Sequence, residues 1–115
     1  MTFEREKALS RVNRKKALVS FTRRKVFKPV YKGRMKAFTG YQTLAHFRAK
    51  EREYLTIDFK VVQGEAVLGI AQKDTFTVLC DGACQKEMEI ALDRGWARLR
   101  LLGESADLTY TVSRS

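Results

Sequence analysis

The stretch Tyr54–Gln72, YLTIDFKVVQGEAVLGIAQ, decides the fold. Leu55, Ile57, Phe59 and Val61 alternate with Thr56, Asp58, Lys60 and Val62, and a period of two places the first set on a buried face. Gln63-Gly64-Glu65 then predicts a turn, because glycine reaches positive φ without steric cost. The return run, Ala66–Gln72, is apolar on both faces, as expected of a strand covered on both sides. The stretch reads as one β-hairpin at the centre of a β-rich body.

Outward from the hairpin, strand and turn signals recur about every ten residues. Thr43–Ala49 places Ala45 and Phe47 on one face, His46 and Arg48 on the other. Thr75–Cys80 follows a Lys73-Asp74 turn, with Phe76, Val78 and Cys80 in phase. Met88, Ile90 and Leu92 point inward from Glu87–Leu92, and Glu87 and Glu89 outward. Ala97, Leu99 and Leu101 point inward from Trp96–Leu102, and Arg98 and Arg100 outward. Leu108, Tyr110 and Val112 alternate with Thr109 and Thr111 in the closing strand, after a turn at Gly103–Asp107. About seven or eight short strands joined by hairpins imply an all-β fold: an antiparallel two-sheet β-sandwich of jelly-roll or immunoglobulin-like type.

The N-terminal part differs. Residues 3–20 predict a helix, with Glu4 and Glu6 at its start and basic residues in its later turns. The competing reading makes Ala17–Phe21 a strand that joins the sheet. Arg23–Lys36 predicts an extended edge segment, since Pro29 forbids a helix interior, and Gly33 would mark a bend. The expected division is therefore 1–36, a basic helix and edge segment, and 37–115, the sandwich.

Charge follows the same division. The chain has 115 residues and a formal net charge of +10. Residues 1–37 hold 13 of the 23 Lys/Arg and only two of the 13 acidic residues, a net of +11, so the remainder carries −1. The core positions Thr43, Leu44, Phe47, Ala49, Leu55, Ile57, Phe59, Val61, Gly64, Leu68 and Ile70 form one run. Ile90, Leu92, Gly95, Leu99, Leu101, Gly103, Tyr110 and Val112 form a second. Together they loosely resemble small uncharacterised bacterial sandwich domains of jelly-roll type, often found in cell-envelope proteins. The likeness covers core positions and turn glycines and implies no functional residue.

The arm is the main functional signal. Arg14, Lys15, Lys16, Arg23, Arg24, Lys25, Lys28, Lys32, Arg34 and Lys36 form a dense positive field that draws polyanions through counterion release. Phe21, Phe27 and Tyr31 lie among them as candidate aromatic contacts for unpaired bases. Trp96, on one outward face with Arg98 and Arg100, could meet a base, a sugar or an acidic peptide, or else cover the end of the core or pack under the arm. The expected partner is anionic, either nucleic acid or an acidic protein surface. The bland alternative is a solvated edge protected by its charges, with the arm packed on its own domain or mediating a homo-oligomer. A membrane surface would need a wide apolar face opposite the cations, which Phe3, Leu9, Val12, Leu18 and Phe21 do not form. The longest apolar run is far short of the ~20 residues that span a bilayer, and the expected location is cytoplasmic.

Nothing predicts an enzyme. No nucleophile sits beside His46, no paired carboxylates suggest acid–base work, and the glycines occur singly. His46, Cys80 and Cys84 fall one ligand short of a zinc site, so no cofactor or metal is expected. Cys80 and Cys84 flank Asp81-Gly82-Ala83, close enough to pair across a tight loop if oxidised.

Overall fold

The computed structural model describes residues 14–16, 19–25 and 30–114. Among these residues, seven strands form one antiparallel sheet: β1 (Arg14–Lys16), β2 (Val19–Lys25), β3 (Val30–Ala49), β4 (Arg52–Gln72), β5 (Thr75–Asp81), β6 (Cys84–Ala91) and β7 (Gly95–Arg114). β7 lies between β3 and β4; β1 and β2 follow each other along the far side of β3, and β6 and β5 along that of β4.

The long strands cannot be straight. At about 3.3 Å per residue, the 21 residues of β4 would reach roughly 70 Å, twice the longest dimension of 35 Å. Each bends at its middle, and the bends lie side by side. Ala37 (φ 53°), Gly64 (φ 78°) and Ser105 (φ 49°) take left-handed conformations along a line where both ladders joining the three strands shift register. Side chains replace ladder bonds there: Ala37 N donates to Asp107 Oδ1 at 2.8 Å, and Ser105 N to Thr39 Oγ1 at 3.0 Å. A Cβ on Gly64 would run into the carbonyl of Ser105, so close backbone approach as well as φ requires glycine.

The crease divides the sheet into two halves that face each other. One contains β2, the start of β3, the end of β7, the start of β4 and β6. The other contains β1, the end of β3, the start of β7, the end of β4 and β5. Their inward side chains form one core: Met35, Ile57, Phe59, Leu108 and Tyr110 from the first, Phe47, Leu68, Ile70, Leu99 and Leu101 from the second. Lys50-Glu51 alone joins β3 in the second half to β4 in the first. That span of ~10 Å matches the spacing of packed β-layers. The expected sandwich is thus one folded sheet, not two separate ones.

Several expectations change accordingly. Tyr54–Gln72 is no hairpin: Gln63-Gly64-Glu65 bends a single strand, and β7 pairs with both flanks, Val61 opposite Leu108 and Val67 opposite Leu102. The turn expected at Gly103–Asp107 is likewise a bend within β7. Gly33 pairs with Thr22 and Tyr110 inside β3, whose bend falls at Ala37. Residues 36 and 37 meet at that bend. No helix occurs among the described residues; Arg14–Lys16 and Val19-Ser20 fall in the span expected to be helical but pair with β3, and only Val19–Phe21 lies within the Ala17–Phe21 strand of the competing reading. The rest of that span lies outside the described residues. Facing is as the alternation predicts on β4, where Leu55, Ile57 and Phe59 are buried and Val62 exposed, and Ala66–Gln72 is buried on both faces. On β5 a bulge opposite Leu68 and Gly69 breaks the phase, burying Cys80 and leaving Val78 exposed.

Candidate cationic surface

β3 carries Lys32, Arg34 and Lys36 of the basic region. Its inward positions Tyr31 and Met35 are buried, so the pleat turns Lys32, Arg34 and Lys36 outward; Arg34 and Lys36 are exposed and Lys32 half-buried. Among the described residues none of the three forms an ion pair, in contrast with Arg52–Glu89 at 3.4 Å and Lys73–Asp93 at 3.8 Å elsewhere. β2 brings Arg23 opposite Lys32, Arg24 opposite Tyr31 and Lys25 opposite Val30. β1 brings Arg14, Lys15 and Lys16 opposite Tyr41, Gly40 and Thr39. A like-charged cross-strand pair such as Arg23 and Lys32 weakens a sheet unless an anion offsets it.

The aromatic candidates separate. Tyr31 is 4% exposed and belongs to the core, which withdraws its ring from stacking on a base. Trp96 is 68% exposed on the outer side of the second half. Phe27 and Lys28 lie outside the described residues.

Two arginines carry structural roles that strand alternation does not anticipate. Alternation predicts that Arg100 faces solvent; it does lie on the outer side of β7, yet it is fully buried. Its Nη1 donates to Thr43 Oγ1 at 2.6 Å and its guanidinium lies 5.4 Å from the Tyr41 ring. Burial, then the charge of Arg98, pulls its pKa down to about 10 against the opposing effect of Tyr41. The signal is present in β4: Gly69, which pairs with Arg100, belongs to the run that is apolar on both faces, so that outer side had to be covered.

Arg114 closes the open end of the folded sheet. Its Nε and Nη2 donate to Glu53 at 3.3 and 3.1 Å, and Nη2 also donates to the Arg48 carbonyl at 3.1 Å. The guanidinium sits 4.2 Å over the Phe47 ring. Burial alone would lower its pKa, but the attraction of Glu53 and Tyr31 outweighs that and raises it. Nearby, Gln72 and Asp93 exchange two hydrogen bonds, Gln72 Nε2 donating to the Asp93 carbonyl and Asp93 N to Gln72 Oε1.

Cys80 and Cys84 are bonded, with Cα atoms 5.9 Å apart. They hold the corner where β5 gives way to β6 beside the bend of β4. His46 is exposed, and the described residues contain no group of three or more His, Cys, Asp or Glu side chains that could hold a metal. No described helix is long and apolar enough to cross a membrane.

No protein-family model matches the chain, and no curated protein matches it. A solved structure with some likeness is a domain of a protein of unknown function from Vibrio parahaemolyticus, at 15% identity and a TM-score of 0.33, covering 89% of this chain and 97% of that one. So distant a likeness fits a loose resemblance with no specific family and carries no argument about function.

Proposed function

We propose that the protein is a non-catalytic binding module whose basic surface along β1, β2 and β3 engages an anionic polymer, with nucleic acid preferred to an acidic protein. One observation carries the reading: the +11 of residues 1–37 includes outward cations on β3 that no described carboxylate neutralises. Such cations release condensed counterions when they meet phosphates, which gives affinity without sequence preference. The test is anisotropy of labelled single- and double-stranded oligonucleotides across a salt series. K32A/R34A/K36A is expected to weaken binding and to flatten the salt slope by ~0.7 for each single-strand phosphate that is no longer neutralised. Absence of binding at low salt, or a slope the triple variant leaves unchanged, would overturn the reading.

A second reading is favoured by the pairing of β1 and β2 with β3. In it the arm serves as a sheet edge of its own domain and its charges deter edge-to-edge association. Charge-neutralising substitutions would then leave oligonucleotide binding untouched and promote self-association, read by light scattering.

A further inference from the structure

We propose that Trp96 is a stacking platform for an unpaired nucleobase, with Arg48 and His46 placed to meet the adjoining phosphates, and that the polymer recognised is single-stranded. The inference rests on the nucleic-acid reading of the basic surface and adds a site and a substrate class to it.

Three observations carry it. First, Trp96 is 68% exposed, so its ring offers a planar apolar surface that the fold does not use. An exposed tryptophan on a sheet face stacks on any base, since every base has a π-face. Second, its surroundings are cationic. Arg48 stands directly opposite Trp96 in the β3–β7 ladder, and His46, the preceding outward position of β3, stands opposite Arg98. His46 and Arg48 are both exposed, and among the described residues neither forms an ion pair. Opposite Cβ atoms in a ladder lie about 5 Å apart, within reach of a phosphate joined to a base lying on the indole. The Arg48 carbonyl is held by Arg114 at 3.1 Å, which fixes the strand beneath the side chain and leaves its guanidinium to solvent.

Third, outward side chains able to meet phosphates follow one strand around the molecule. Lys32, Arg34 and Lys36 face outward before the bend of β3; His46 and Arg48 face outward after it, on the other half of the sheet. A ligand that meets both groups must turn with β3 inside a body 35 Å long. Duplex DNA, with a persistence length of about 50 nm, resists such a turn. A single strand makes it freely, and its unstacked bases are available to Trp96.

The chain contains one tryptophan, so its emission reports this site alone. The full chain is titrated with unlabelled oligo(dT), oligo(U) and a duplex of equal length, while anisotropy of labelled counterparts records binding independently. Quenching of Trp96 by either single strand is expected. W96A should weaken single-strand binding by about tenfold, W96F should retain most of it, and R48A should reduce both affinity and salt slope. Both positions are exposed, and circular dichroism checks that each variant keeps its fold. Anisotropy that shows single-strand binding with unchanged Trp96 emission and an indifferent W96A overturns the platform while the basic-surface reading stands. Binding to none of the oligonucleotides overturns both.

Discussion

Arg114 and Glu53 show how much one side-chain pair does in this fold. Their side chains are 16% and 3% exposed, and the pair joins the end of β7 to the start of β4 beside the link that crosses between the halves. Removing the guanidinium leaves a buried carboxylate whose remaining partner is the Lys50 N–H, 2.9 Å away. Arg114→Ala is therefore expected to cost about 3 kcal/mol in urea denaturation, with part recovered in the double variant with Glu53→Gln. A loss below about 1 kcal/mol would class the pair with ordinary surface bridges. Tyr110 gives a second residue-scale expectation. Burial pushes its phenol up to about 12, while an unfolded tyrosine ionises near 10. Its contribution to stability is whole below pH ~10 and is lost as pH rises through ~12, because the unfolded state releases its proton first. Arg100, whose pKa is lowered, acts in the opposite direction over that range. The readout is therefore the difference between the alkaline stability curves of the wild type and Tyr110→Phe: the variant should decline less.

At the scale of elements, the bend matters more than any single strand. β3, β4 and β7 pass through the crease together, so a fault in one strand is felt by its neighbours. Gly64 is the most constrained position, with φ at 78° and the Ser105 carbonyl where a Cβ would stand. Gly64→Ala is expected to cost at least about 2 kcal/mol, measured by thermal or urea unfolding. Gly95 also has positive φ, but nothing lies within 4 Å of its virtual Cβ, so Gly95→Ala meets backbone strain alone and should cost less. Equal losses at the two sites would show that the close approach at the crease contributes nothing. Much of this scale is legible in the sequence. Glycine at 64 marks a place where the chain changes direction, and the faces of β4, β6 and β7 follow from alternation. The continuity of β4 is not legible, because a left-handed residue between two apolar runs serves a hairpin and a bent strand equally.

For the whole molecule, charge and core are arranged separately. The core is shared by the two halves of the sheet, whereas the cations lie on the outward side of β3 and on the strands beside it. The triple substitution on β3 should consequently alter polyanion binding while leaving stability within ~0.5 kcal/mol, as expected for surface positions. Composition reveals the basic segment, and its linear order places it in residues 1–37. Its position along β3, and the continuation of that strand to Arg48 opposite Trp96, depend on pairings between residues far apart in the chain.

By itself, the sequence determined which side chains turn inward along most strands, because a period of two is a local consequence of the pleat. It also determined the β character of residues 37–115, though it expected a helix over 3–20, and that the positive charge is concentrated in residues 1–37. Only the tertiary structure decided that Tyr54–Gln72 bends instead of reversing. The local φ requirement at Gly64 is the same in both cases, and the outcome depends on β7 pairing with both flanks. The same non-local pairing made one folded sheet from an expected two, and it buried Arg100 beside Gly69 on a side that alternation alone would have left to solvent.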